Sequence, residues 1–289
     1  MTNVAVVAHA DKLAGRDRKR LKRALSDAGL DAPWYDVGKA KQAGAATRKA
    51  LKGGADTVIV CGGDGTVRAA SEPLVGADAA LAVLPAGTAN LFATGYGLPT
   101  DPAAIVELVV TGRRRTIDSA CCNEQTFNVM AGTGFDAAMI DGADAHKDRL
   151  GMLAYLRAGV HNARARDTFA AEVAVDGATF FEGPASCVLV GNIGTLKGGV
   201  EALPGASPTD GLLDVAVVTA AGLREWASVL VSAVRHKQAM SGHAHLGRGA
   251  TITVALDGKR RYELDGGAKG KADHLDFGVR PLSLTLCAA

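Results

Sequence analysis

One stretch constrains the fold more than any other: Asp56-Thr57-Val58-Ile59-Val60-Cys61-Gly62-Gly63-Asp64-Gly65-Thr66-Val67. A β-branched apolar run feeds a turn with three glycines, and a helix is predicted over 67–74. An apolar run without polar alternation suits a strand covered on both faces, the hallmark of a parallel sheet. Val4–Ala8 and Leu81–Leu84 repeat the pattern. Helical segments lie between these runs. Arg16–Ala28 carries Leu21 and Leu25 at helical spacing and stops at Gly29. Lys39–Lys52 closes at Gly53-Gly54, and 102–110 has Asp101 as N-cap, Pro102 at its first position and Gly112 beyond its end. Alternating strands and helices predict an α/β domain over residues 1–118, a parallel sheet with helices on both faces.

The pattern changes near Arg113-Arg114-Arg115-Thr116-Ile117-Asp118. Strand signals then dominate, at 126–130, 169–175, 185–190, 213–218, 251–256 and 282–287. Asp176-Gly177 and Asp257-Gly258 are each expected to turn a two-residue hairpin. Helices are expected over 149–164 and 223–238. Residues 119–289 therefore read as a mostly antiparallel β domain.

Composition excludes some functions. Lys+Arg number 32 against 30 Asp+Glu, a net charge of +2, too balanced to mark a nucleic-acid partner. Aromatic residues are only 4%, too few for base-stacking platforms. Cys61, Cys121, Cys122, Cys187 and Cys287 have no C-x-x-C spacing, which predicts free thiols in a reducing compartment. No secretory leader is read at Met1–His9, and no run reaches ~18 apolar residues. The expectation is a cytoplasmic protein.

Gly62–Thr66 has the makings of a phosphate turn. Glycines admit positive φ and close backbone approach, while N–H groups at a helix start attract an anion. Asp64 is unusual there, because a carboxylate repels phosphate unless Mg²⁺ or a hydroxyl proton lies between them. The other reading is a tight turn with an exposed Asp. A second turn, Pro85-Ala86-Gly87-Thr88-Ala89-Asn90, also follows a strand and is expected at the same carboxyl edge, where ligands bind. Thr88 or Asn90 could equally serve only as a helix cap.

The ordered set GGDGT (Gly62–Thr66), PAGTAN (Pro85–Asn90), NVMAGTGFDA (Asn128–Ala137), PGASPTDGLLDV (Pro204–Val215) and LDGG (Leu264–Gly267) resembles the diacylglycerol kinase catalytic family. That family includes bacterial lipid kinases and sphingosine kinases, and the match runs nearly the whole chain. The resemblance implies a Rossmann-like nucleotide-binding domain followed by a β-sandwich, with ATP between them. It implies an ATP- and Mg-dependent kinase for the hydroxyl of diacylglycerol or a similar lipid at the inner membrane surface. Gly62, Gly63, Asp64, Gly65, Thr66, Val67, Arg68, Gly87, Thr88 and Asn90 would hold ATP. Asp64 and Asp118 would organise phosphates and Mg²⁺. Asp265 would lie beside the attacking hydroxyl. Ser207 and Leu212 carbonyls with Asp210 would hold a structural Mg²⁺. A homodimer is left open.

Three positions depart from the family. Its early Asn-Pro and Ser-Gly read Ala8-His9-Ala10-Asp11, the Asp often following GTxN is Leu91, and DGE reads Asp265-Gly266-Gly267. Gly267 cannot accept a proton, so Asp265 or Asp64 takes that role, or the chain is a catalytically impaired relative serving as a sensor or interaction module. A soluble-substrate kinase such as an NAD kinase is disfavoured by the Asp210 and Asp265 motifs. His243-Ala244-His245 suits a solvated loop better than a metal pair. Residues 147–166 could form an interfacial helix, or pack on the β domain.

Overall fold

The computed structural model describes residues 2–13, 15–134, 168–196, 200–234 and 242–288. The expected 149–164 helix, the 147–166 face, the last residues of the expected 223–238 helix and the motif from Phe135 onward lie outside this set. Two compact units are present: Met1–Ser119 with Leu282–Ala289, and Ala120–Pro281. Residues Leu282–Ala289 thus return to the first unit after the second.

In the first unit β1 (Val4–His9), β2 (Trp34–Val37), β3 (Thr57–Gly62) and β4 (Ala80–Pro85) form a parallel sheet in the order β2-β1-β3-β4. The strands are apolar because both faces are covered. α1 (Gly15–Asp27) packs on α5 (Pro102–Val110), and α2 (Ala43–Lys52) packs on α3 (Asp64–Ser71). Leu21 and Leu25 of α1 join Ile105, Val106 and Val109 of α5 over Val4, Val6, Ile59 and Leu84. Full burial of each such side chain stabilises by about 2 kcal/mol. α5 starts as expected, with the Asp101 carboxylate accepting the Ala103 and Ala104 N–H groups. The predicted 67–74 helix begins earlier, at Asp64, and its last three residues form a 3₁₀ turn.

The chain steps from β1 outward to β2, then returns across β1 to β3. The sheet therefore reverses direction between β1 and β3, and the carboxyl edge at such a reversal is where open α/β sheets bind ligands. Register aligns the exits: Ala8 pairs with Cys61, Cys61 with Leu84, and Gly62 with Pro85.

The second unit is antiparallel. β5 (Arg114–Cys122) leads into it, followed by β6 (Gln125–Phe127) and β7 (Met130–Thr133). β8 (Phe169–Val175), β9 (Ala178–Ala185) and β10 (Cys187–Gly191) follow, then a ribbon of β11 (Thr195–Leu196) and β12 (Val200–Glu201). After β13 (Leu213–Val218) come α6 (Leu223–Val234), β14 (Ala244–Gly249), β15 (Thr251–Leu264) and β16 (Gly267–Cys287). The order β14-β13-β10-β7-β15-β16 forms one run, with β8 and β9 added beside β15. Alternate residues such as Val188, Val190, Val215, Val217, Ile252, Val254 and Leu264 point into one core with Phe127 and Phe277.

Asp176-Gly177 turns the β8–β9 hairpin, with φ of +49° and +81° as a type I′ turn requires. Asp257-Gly258 does not turn the chain. It lies inside β15 at a register shift between Ala255 and Arg260, an exposed irregularity of a long strand. The β15–β16 turn is instead Asp265-Gly266, with φ of +49° and +72°. All five cysteines are free thiols, four of them buried.

Candidate functional site

The two glycine turns meet at the carboxyl edge of the first sheet. A methyl group on Gly87 would stand 2.5 Å from the Gly63 Cα, and one on Gly62 would stand 2.7 Å from the Thr66 Cβ. Only glycine fits these two positions. Thr66 and Val67 donate their N–H groups to the Gly63 carbonyl, which starts α3 without a side-chain cap.

Asn90 has φ +51°, a conformation asparagine tolerates better than most residues. Its Oδ1 accepts the Gly87 N–H at 2.8 Å and its Nδ2 donates to the Gly87 carbonyl at 2.9 Å. Asn90 thus locks its own turn. The short α4 (Leu91–Gly95) that follows is capped from the other loop, since the Phe92 N–H donates to Asp64 Oδ1 at 3.0 Å. Asp64 is the tie between the turns. Burial pushes its carboxyl above the usual range, and N–H groups of Phe92, Leu91, Asp64 and Asn90 oppose the shift. Thr88 is exposed at the same edge, and Arg68 is partly exposed one turn into α3.

Asp118 is fully buried, and its Oδ1 accepts the Leu282 N–H at 2.7 Å. Ser119 bonds Ser283 at 2.8 Å. Asp118 therefore sits where the chain leaves the first unit and where it comes back.

In the second unit Asp265 is 3% exposed at the β15–β16 turn. Its Oδ1 accepts the Val129 N–H at 2.8 Å and the Met130 N–H at 3.2 Å, and its Oδ2 accepts the Asn128 N–H at 3.0 Å. The Asp265 N–H donates to the Met130 carbonyl. This carboxylate binds the NVM segment to the hairpin. Glu263, which no sequence motif singles out, is half-buried two residues earlier. Burial, and then the charge of Asp265, push its carboxyl up to about 7. No local signal marks it, because its environment comes from strands distant in sequence.

Ser207, Asp210 and Leu212 share one loop. Asp210 Oδ1 accepts the Leu212 N–H at 3.1 Å, and its Oδ2 lies 3.6 Å from Arg248, whose guanidinium also bonds Asp214 at 3.0 Å. Burial raises the Asp214 carboxyl, opposed by Arg248. Asp210 is exposed, and its loop carries carboxylate and carbonyl oxygens of the kind magnesium prefers. His245 lies against Phe181 in a tilted pair, with ring centroids 5.1 Å apart. Among the described residues no three His, Cys, Asp or Glu side chains converge as a metal site.

Residues 6–122 match the diacylglycerol kinase catalytic domain, and residues 129–288 match the YegS C-terminal NAD kinase beta sandwich-like domain. The chain belongs to the diacylglycerol kinase family. It is 32% identical over 197 residues to a diacylglycerol kinase of Mycobacterium tuberculosis, covering 66% of this chain and 64% of that protein. It is 34% identical over 223 residues to a probable lipid kinase YegS-like of Pseudomonas putida, covering 74% and 73%. A solved diacylglycerol kinase structure from Bacillus anthracis has the same fold, with a TM-score of 0.73, 20% identity and coverage of 99% and 97%. The chain spans about half to just under two thirds of the length of the first curated relatives it matches. As a family member it carries a kinase catalytic domain. Among the described residues no helix is long and apolar enough to cross a membrane.

Proposed function

We propose that this protein is an ATP- and Mg²⁺-dependent lipid kinase that phosphorylates the hydroxyl of diacylglycerol or a similar long-chain lipid alcohol, working peripherally at the inner membrane surface. One observation carries the reading. Two glycine turns leave the sheet in register and are joined by Asp64, in a chain that matches both family domains in order.

The ATP phosphate chain runs along Gly62–Thr66 and Gly87–Thr88, where Gly63 and Gly87 leave the backbone bare and Thr88 offers a hydroxyl. Asn90 keeps the second turn shaped rather than touching phosphate. Asp64 holds the two turns in register. Asp64 also accepts the proton of the lipid hydroxyl. The lipid oxygen bonds to the γ-phosphorus as the bond to the ADP oxygen breaks. Asp265 acts as a positioning residue, because Val129, Met130 and Asn128 already occupy its carboxylate. Asp64, which is partly exposed, would face hydrated magnesium with the fully buried Asp118 acting from behind it, and the Ser207–Leu212 loop with Asp210 would hold a second ion. Magnesium carried with ATP would supply positive charge to offset that of the phosphates.

Transfer of label from radioactive ATP into mixed micelles of diacylglycerol, monoacylglycerol, ceramide, sphingosine and polyprenol tests the reading. A labelled lipid is expected. ATP binding with no labelled lipid would reject it.

The second reading, an impaired relative, is favoured by Gly267 and by the occupied Asp265. A side chain at Gly267 would meet only the Leu264 carbonyl, at 3.4 Å, so Glu can be accommodated there. A working mechanism predicts that Gly267→Glu changes the transfer rate by less than about threefold. A gain near the ~10²-fold worth of a general base would identify an impaired site.

A further inference from the structure

The loop after β1 departs from the family pattern, yet it lies at the sheet reversal, beside the turn after β3. Its fold is set by a few backbone bonds. The Lys12 and Leu13 N–H groups both donate to the His9 carbonyl, at 3.1 and 2.9 Å, and the Ala10 N–H donates to Val37. Leu13 is 1% exposed and packs in the core, which pins the loop beside the exposed Lys12. A methyl group on Gly63 would stand 3.3 Å from the Lys12 Nζ and 3.2 Å from the Gly87 Cα. The ammonium therefore stands over the point where the two glycine turns touch. No carboxylate among the described residues pairs with it. His9, which ends β1, is 8% exposed and carries an Nδ1 that has no hydrogen-bond partner among the described residues. Buried polar atoms are nearly always satisfied, so this nitrogen is a buried polar atom in want of a partner.

We propose that Lys12 is a phosphate-contacting residue, whose ammonium closes the Gly63–Gly87 cradle over the polyphosphate chain of the nucleotide. The assignment rests on the nucleotide reading given above. A cation held over glycine backbone is the complement of a phosphate oxyanion, and a lysine meets phosphate as a movable point charge. The same chemistry would suit the phosphate of a phosphorylated lipid, so the experiment separates the two sources.

Wild type, Lys12→Gln and Lys12→Arg of the full chain are titrated with adenosine, ADP and ATP in Mg²⁺ by calorimetry, and with phosphatidic acid vesicles by co-sedimentation. Lys12 is exposed, so thermal unfolding of the variants is expected to match wild type. Lys12→Gln should bind ADP and ATP about tenfold to a hundredfold more weakly with adenosine unchanged, and Lys12→Arg should recover part of the loss. ADP and ATP binding unchanged in Lys12→Gln would overturn the proposal and leave the kinase reading standing. Loss of vesicle binding alone would reassign Lys12 to the lipid phosphate and overturn it equally. A wild-type chain that binds neither ADP nor ATP would remove the nucleotide reading itself.

Discussion

Asp64 and Asp265 both sit in glycine-rich turns, and both resemble a catalytic acid when read as motifs. Their surroundings separate them. Asp64 joins the starts of α3 and α4, remains partly exposed, and has its carboxyl pushed up by burial. Asp265 is sealed inside the second unit, with three successive backbone N–H groups on its carboxylate. The first can still meet a ligand and a proton. The second organises the backbone around it. An acidic residue in a D-G turn is therefore assigned by what its oxygens already hold.

The largest expected effect tests the Asp265 half of this contrast. Asp265→Ala leaves three N–H groups in a buried setting without their acceptor, at about 1–3 kcal/mol for each group left unsatisfied. Denaturant unfolding should show a loss of at least about 3 kcal/mol from the second unit. A loss below about 1 kcal/mol would mean that the carboxylate is not the clamp described, and would make it a candidate base again.

Next comes Glu263, beside Asp265. Its folded-state proton affinity is raised, to about 7, above the ordinary glutamate value. Protonation therefore favours the folded form. The contribution is fully present in acid and is lost as pH rises from about 4.5 through about 7, up to about 3 kcal/mol in all. Asp36 and Asp101, held low by Arg18 and by backbone N–H groups respectively, act in the opposite sense in the acid range. The test is thus the difference between wild type and Glu263→Gln across pH 4.5–7.5. Parallel stability curves would refute the buried-acid assignment.

The smallest stability effect is expected at Asp64. Asp64→Ala removes the cap of α4 and should cost about 1–2 kcal/mol. It should also abolish lipid phosphorylation, and this comparison of a modest stability loss with a complete activity loss is what distinguishes it from Asp265→Ala. Retained transfer in a folded Asp64→Ala protein would end the proposed role.

Much of the first unit is legible from local pattern. The apolar runs of β1, β3 and β4, the Leu21–Leu25 spacing and the Asp101-Pro102 start of α5 are short-range signals, and the structure has them within a residue or three. β2, with Trp34 and Asp36 in four residues, has no such run and carries no strand signal of that kind. The Asp176-Gly177 hairpin is legible because both residues accept positive φ. The same dipeptide at 257–258 misleads, because a long strand absorbs it as an irregularity while the turn forms eight residues later. At the site, the glycine turns are visible in the sequence, but the bond from Phe92 to Asp64 is not. A cap supplied from 28 residues away leaves no local trace. Lys12 and Glu263 have none either, since a single charged residue gains meaning only from what folding brings beside it.

The return of residues 282–289 to the first unit bears on how the molecule is made. Leu286 pairs with Leu81, Cys287 is buried in the first core, and the Ala288 N–H bonds the Arg113 carbonyl. A ribosome delivers these residues only after the whole second unit, so until then the nascent first unit has one flank of β4 unpaired. An unpaired strand edge is a template for aggregation. The first unit should thus depend on chaperone protection during translation, and a fragment ending at Ser119 should be poorly soluble even though it contains the Gly62–Thr66 and Pro85–Asn90 turns.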